Sequence, residues 1–364
     1  MRICMLVEDY PPKLGGGGMF VNSIAKELAA TDEQITVVTP SYNGDSEISE
    51  PNGNNAIHVI RIGKRRISYF FKGILKLLSE PKFDIYHAHG PLPGLMARIV
   101  SAIKDGSTVL HIHGFREENV IGKLKFMGQN FILKLGYDRI ISVDSESAKR
   151  INEIGVPHDR IETIPCGVDT KLFAPDQGRK NNQIPVLLFV GRLEKVKGLN
   201  LLLEAILGLK DNGLNVSAYI IGSGTLEDEL MADARKKGLD NIKFINSVKH
   251  DELPEWYNKA DLFVLPSISE GMPLVLLEAM ACGLPSVVSD IKSMKTIAEK
   301  SGAGVTSECG NSKSLAETIE NALNQKDSEK QKLRKNARDF AIKNYSWENT
   351  VQGIKKVYSE VVGN

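Results

Sequence analysis

The chain has 364 residues, a length that favours two domains over a single core. With 42% hydrophobic residues, 25% charged residues and a net charge of +1, it has the make-up of a globular protein and lacks the basic excess of a general nucleic-acid binder. Its four cysteines (Cys4, Cys166, Cys282 and Cys309) form no C-x-x-C pair, and no stretch approaches the ~20 apolar residues of a membrane span, so a disulfide framework, a zinc site and a spanning protein are not expected and a cytoplasmic protein is.

In chain order, Arg2–Val7 reads as a buried strand, its apolar run too short for a signal peptide. A turn through Pro11 and Pro12 leads to four glycines, Gly15 to Gly18, and then to a helix with Val21, Ile24, Ala25 and Leu28 on one face. Strand, glycines and helix start suit a phosphate, because glycine lets backbone come close; the same glycines also suit a flexible loop. Residues 34–40 (QITVVTP) and 56–62 (AIHVIRI) read as the second and third strands, with a polar, turn-rich stretch between them.

Residues 67–78 put Ile67, Phe70, Phe71, Ile74, Leu75 and Leu78 on one broad face of a helix, among Lys64, Arg65, Arg66, Lys72 and Lys76. Residues 61–139 hold 14 Lys/Arg against 6 Asp/Glu, so the basic character is concentrated here. Such a helix suits an anionic membrane surface, or it packs on its own sheet with the lysines solvated.

Two strand ends carry histidines, His87 and His89 in FDIYHAHG and His111 and His113 in STVLHIHGF. Alternation puts each pair on one face. No carboxylate or cysteine ligand stands beside them in the sequence, so no metal site is expected; polar residues at strand ends of an open α/β sheet are ligand-site candidates in their own right. Further on, residues 138–152 read as a strand and a helix capped by Ser145, and the polar stretch Gln177–Pro185 reads as a linker.

The second half opens on a buried strand ending at Gly191, with Arg192 and Lys197 in the loop behind it. Two cations beside a glycine turn suit a diphosphate, the arginine as a two-pronged donor and the lysine as a point charge, or they are solvated surface residues. Gly222-Ser223-Gly224, after the next strand, lacks the third glycine of a dinucleotide loop, which argues against a nicotinamide cofactor. Asp261–Asp290 is a strand, a turn at Ser267–Gly271, a helix that Pro273 opens, and a further strand. Glu270 stands at the helix mouth, where backbone N–H groups suit a phosphate. Glu278 lies two turns on, ~10 Å away at ~1.5 Å per residue. That spacing suits one ligand with a hydroxyl-rich ring at each end, a nucleotide-sugar; Glu278 reads equally well as solvent-facing.

The stretch SEGMPLVLLEAMACGLPSV, residues 269–287, resembles the donor-site signature of the family 4 glycosyltransferases, retaining enzymes of the GT-B fold. The Pro11-Pro12…Gly15-Gly16 segment, the HIHG segment with His113, the GR…KG segment with Arg192 and Lys197, and residues 161–173 are similar to further motifs of that family, so the resemblance covers nearly the whole chain. It departs at Cys166, where asparagine is usual, and after Asp290, where Lys292, Ser293 and Thr296 replace a glycine pair and a glutamate; there Lys292 or Lys295 is expected to reach a phosphate.

The resemblance implies an α/β protein of two Rossmann-like, doubly wound parallel-sheet domains facing a central cleft. Residues 1–174 would bind the acceptor, residues 185–345 the donor, and residues 346–364 would form a helix crossing back to the first domain. It implies a retaining hexosyltransferase that moves a sugar from a UDP- or GDP-linked donor to the hydroxyl of a glycan, lipid-linked saccharide or small polyol, in polysaccharide or glycolipid biosynthesis. Glu270 and His113 would orient the sugar at the reacting centre, Arg192 and Lys197 neutralise the diphosphate, and Glu278 hold the ribose; Gly271, Met272, Leu274, Gly16, Gly191 and Gly222 would line the donor site. No cofactor and no metal are implied, and no nucleic acid. A cytoplasmic protein peripheral to the inner face of a membrane through residues 61–78 is expected. A sugar-nucleotide epimerase or phosphorylase on the same fold, and a non-catalytic sugar-nucleotide-binding protein, are the alternatives.

Overall fold

The computed structural model describes every residue except 13–15, 32, 43, 53–54, 115–127, 177, 179–181, 247 and 364. Two compact units divide the chain: Met1–Gly167 with Trp347–Asn364, and Val168–Ser346.

The first unit is built on strands β1 (Arg2–Val7), β2 (Gln34–Thr39), β3 (Ser46–Asn52), β4 (Asn55–Arg61), β5 (Ile85–His89), β6 (Ser107–Ile112), β7 (Arg139–Ser142) and β8 (Ile161–Thr163). They lie in the order β3-β4-β2-β1-β5-β6-β7-β8, all parallel except β3 against β4. The chain works outward from β1 and then returns to β1's other side at β5. The order thus reverses between β1 and β5, the place where open α/β sheets hold ligands.

Three local expectations are corrected here. The stretch 41–55 is not all turn, because it contains β3, paired with β4 from Ser46↔Arg61 to Asn52↔Asn55. Its sequence SEISEPN shows no apolar alternation because the strand is an exposed edge, where proline is tolerated. Asp144, not Ser145, caps the helix Ser145–Glu153, its carboxylate accepting from Ser147 N at 2.7 Å. The helix Arg66–Ser79 divides the apolar face that its sequence shows. Tyr69, Gly73 and Leu77 are buried, and Phe70, Ile74 and Leu78 pack beside them. Gly73 lets this ridge in close, since a Cβ there would lie 2.4 Å from Met96 Cε. The ridge of Ile67, Phe71 and Leu75, roughly opposite at ~100° per residue, stands 74%, 62% and 68% exposed.

The closing helix, Trp347–Val362, belongs to this first unit. Val351, Ile354, Val357, Tyr358 and Val361 are buried along it, and Ser107 Oγ in β6 donates to Val361 O at 2.8 Å.

The second unit carries β9 (Val186–Val190), β10 (Ser217–Ile221), β11 (Ile242–Ile245), β12 (Leu262–Leu265), β13 (Ser286–Ser289) and β14 (Gly304–Ser307). These lie in the order β11-β10-β9-β12-β13-β14, every pair parallel. Here the reversal falls between β9 and β12. The unit starts at Val168, upstream of the boundary expected at 174, because Phe173 is wholly buried in the second core. Arg338 fastens this entry, donating to Phe173 O and Ala281 O at 2.7 Å and to Thr170 O at 2.8 Å. The polar stretch 177–185 therefore lies inside the second unit and is not the link between the two; its residues 177 and 179–181 are outside the described ones. Among the described residues no helix is long and apolar enough to cross a membrane.

Candidate functional site

At the reversal in the second sheet, the loops behind β9 and β12 are joined through their backbones. Ile268 N donates to Val196 O at 2.8 Å. Gly198, at φ 66°, sits where a Cβ would meet Pro266 O at 2.1 Å, so glycine is required there. On this scaffold Lys197 Nζ donates to Glu270 Oε1 at 2.5 Å, and the same oxygen accepts from Ser267 Oγ at 2.8 Å. The two side chains of the pair are 15% and 12% exposed. Ser293 Oγ donates to Glu270 O at 3.0 Å, so a residue that departs from the family pattern helps to fix the Glu270 loop. Of the two lysines beside it, Lys295 lies 3.9 Å from Glu299.

The other expected donor-site residues surround this pair in the chain. Arg192 and Gly271 are exposed, and Met272 and Leu274 are half-buried. Leu274 opens the helix Leu274–Ala281, with Pro273 as its cap and not its first residue. Gly191 and Gly222 end β9 and β10 at φ 155° and 143°. A Cβ on Gly222 would lie 1.9 Å from Gly191 O, and each glycine N–H is spent on the neighbouring strand, Gly191 to Ile221 O and Gly222 to Ile245 O. Backbone lies on backbone here, with no room for a side chain between.

Glu278 is buried, 7% exposed, which excludes the solvent-facing alternative. Its Oε1 is 2.9 Å from His250 Nε2, and its Oε2 accepts from Tyr257 Oη at 2.8 Å. The hydrogen bond to the Glu278 carboxylate raises the His250 pKa above the ordinary imidazole value, and burial pushes the Tyr257 hydroxyl well up, with Glu278 adding to it. Glu270 and Glu278 thus keep separate sets of partners. His250 and Tyr257 were not singled out in the sequence. The available signal was Glu278 itself, a carboxylate between Leu277 and Ala279 that needs hydrogen-bond donors once buried.

In the first unit, register brings His89 opposite His111 across β5 and β6. His87 shares their face, and His113 follows β6. His89 Nδ1 lies 3.2 Å from His113 Nε2, and the His111 and His113 rings stack at 4.6 Å. Phe20 meets both edge-on at 5.0 and 4.9 Å, and His87 Nδ1 lies 2.6 Å from Tyr358 Oη. Burial pushes the imidazole pKa values down, His113 to about 4 and His87 to about 3, the latter with help from His113; His113 is therefore neutral at neutral pH. Gly16 begins the helix Gly16–Ala29, whereas Gly15 is outside the described residues. Of Gly17 and Gly18, Gly18 is the one whose lack of a side chain is used, since a Cβ there would lie 2.5 Å from Asp9 O.

Comparison with known proteins agrees with this architecture. The family of glycosyl transferases group 1 matches residues 171–359, and glycosyltransferase family 4 matches residues 14–172. The UDP-Gal:alpha-D-GlcNAc-diphosphoundecaprenol alpha-1,3-galactosyltransferase of Escherichia coli is 28% identical over 308 residues, which covers 80% of this chain and 79% of the relative. Sucrose-phosphate synthase from Thermosynechococcus elongatus superposes with a TM-score of 0.84 at 20% identity, covering 100% of this chain and 99% of that one. HepE of Anabaena, in complex with UDP and glucose, superposes with a TM-score of 0.79 at 19% identity, covering 99% and 100%. The fold is GT-B.

Proposed function

The chain belongs to the glycosyl transferases of group 1, and from that premise we propose that it is a retaining, metal-independent hexosyltransferase moving a sugar from a UDP- or GDP-linked donor to a hydroxyl acceptor. The observation that carries this reading is the Lys197–Glu270 pair, held where the second sheet reverses, beside the glycine ends of β9 and β10. A diphosphate there draws on Lys197 and on exposed Arg192. The UDP bound by HepE and the UDP-Gal in the name of the Escherichia coli relative support a uridine donor.

In the transfer step the acceptor oxygen bonds to the anomeric carbon on the face from which the diphosphate oxygen departs. The bond to that oxygen breaks, and the departing phosphate takes the acceptor's proton. Negative charge grows on the diphosphate as the bond breaks, so cations at that place act on the transition state more than on the bound substrate. Glu270 and neutral His113 orient the sugar. Each oxygen of Glu278 has one neighbour, His250 or Tyr257, and retains a lone pair for a ribose hydroxyl. A thermal-shift panel of UDP, GDP, ADP and their sugars tests the reading. One base series is expected to stabilise the protein, by ~2.7 kcal/mol at a hundredfold excess over Kd, and Arg192→Ala and Glu278→Gln are expected to lose the shift. No shift with any nucleotide would overturn the donor site.

The acceptor is proposed to be lipid-linked and met at the cytoplasmic face of a membrane. Ile67, Phe71 and Leu75 offer an exposed apolar ridge, with Lys64 and Arg65 exposed beside it, and diphosphoundecaprenol appears in the name of the relative from Escherichia coli. Arg66, Lys72 and Lys76 are engaged by Glu8, Asp45 and the pair Glu47 and Glu80, so Lys64 and Arg65 are the cations to change. At ~1 kcal/mol per basic residue near an anionic surface, the double variant Lys64→Gln/Arg65→Gln is expected to bind anionic vesicles ~30-fold more weakly. The triple variant Ile67→Ser/Phe71→Ser/Leu75→Ser is expected to abolish co-sedimentation. Unchanged sedimentation of both would sink the membrane contact.

A further inference from the structure

We propose that His87, His89 and His111 form a three-imidazole site for a divalent first-row transition-metal ion, zinc above all, a structural ion within the core of the first unit that meets the transfer step only through His113. The three residues each offer a ring nitrogen, and the three nitrogens lie within 4.8 Å of one another. All three side chains are buried, at 0%, 5% and 0% exposure. The Nε2 atoms of His87 and His89 and both nitrogens of His111 have no hydrogen-bond partner among the described residues. A buried imidazole nitrogen without a partner is costly, and here three such rings lie together, near-parallel, with centroids 4.3, 5.3 and 5.5 Å apart.

Two of the three rings have an outer partner. When His87 Nδ1–H donates to Tyr358 Oη, and His89 Nδ1–H to His113 Nε2, the lone pair of each of these two rings falls on Nε2, the nitrogen without a partner; both nitrogens of His111 are without one. Outer partners of this kind fix the tautomer of ligating histidines and raise their basicity. Imidazole nitrogen selects zinc, copper, nickel and iron over the hard ions magnesium and calcium, which want oxygen. Three neutral histidines leave an open position on the ion. A ring nitrogen at the ~2.0–2.1 Å that zinc requires is reached by turning the rings out of their near-parallel stack.

The ion would cross-link β5 to β6 and, through Tyr358, stiffen the contact with the closing helix. Sequence reasoning set this site aside because it looked for carboxylate or cysteine partners along the chain. Pairing between parallel strands supplies the third ligand instead.

The test uses full-length, tag-free protein stripped with a chelator, titrated with Zn²⁺ by calorimetry and with Co²⁺ by visible absorption. One ion per chain is expected, with a cobalt spectrum of four or five ligands and a raised melting temperature. Binding should vanish in His111→Gln, remain in His158→Gln, whose histidine is exposed, and weaken by ~10–100-fold in Tyr358→Phe, which removes the outer partner and keeps the ring. Absence of stoichiometric binding would overturn the proposal, as would binding that survives His111→Gln. Should His111→Gln fail to fold, Tyr358→Phe decides, because unchanged affinity there also overturns it. No nucleotide enters the measurement, so its failure leaves the donor reading standing.

Discussion

Lys197→Ala is expected to lower kcat by ~10²–10³-fold, the usual cost of losing one charge-stabilising group at a reacting centre. The ammonium is poised by its bond to Glu270 Oε1, and that carboxylate is in turn held by Ser267. As the diphosphate gains charge, a lysine already in place meets it without reorganisation, so the loss should fall on kcat and leave KM within a few-fold. The variant also leaves Glu270 with the neutral Ser267 donor in place of a cation, which should turn the carboxylate away from its orienting position. Steady-state kinetics with the donor found by thermal shift, alongside circular dichroism to confirm the fold, make the comparison. A kcat within about threefold of wild type would remove Lys197 from the reacting centre.

The largest effect on stability is expected from Gly222→Ala. Its φ of 143° is one that side-chain-bearing residues rarely adopt, and its Cβ would stand 1.9 Å from Gly191 O. No rotamer relieves a clash with backbone, so β9 and β10 must part at their carboxyl ends, where Gly191 N donates to Ile221 O. Strain and overpacking together cost at least ~3 kcal/mol, a fall of roughly 10 °C for a unit of this size. Gly213→Ala is the control: its φ is 83° with nothing within 4 Å, so it carries the conformational cost alone, ~1 kcal/mol. Calorimetric melting of both variants settles the matter. Equal shifts would mean that the close approach at Gly222 is relieved easily and that the donor loops are not bound to strand geometry.

Those two residues also show what was legible in the sequence. The βα periodicity, the strand-end glycines and the charged residues behind them were plain, because buried parallel strands and glycine turns leave strong local marks. Glu270 and Lys197 stood out individually, but their mutual bond spans 73 positions and needed the reversal between β9 and β12 to be seen. His250 and Tyr257 were missed for the same reason. Edge strand β3 was missed because an exposed strand needs no apolar face. The helix Arg66–Ser79 looked like a single apolar face, since sequence periodicity cannot tell which of two opposite ridges Met96 will meet.

The closing helix has a consequence for how the protein is made. The first unit holds the chain's opening 167 residues and its last stretch from Trp347, with the whole second unit in between. On the ribosome, at ~5–20 residues per second, the second unit is therefore synthesised in full, over roughly ten to forty seconds, before the segment that completes the first unit is made. During that interval the face formed by Phe20 and His87 awaits Trp347 and Tyr358, an apolar surface that chaperones, or a neighbouring nascent chain, are free to reach.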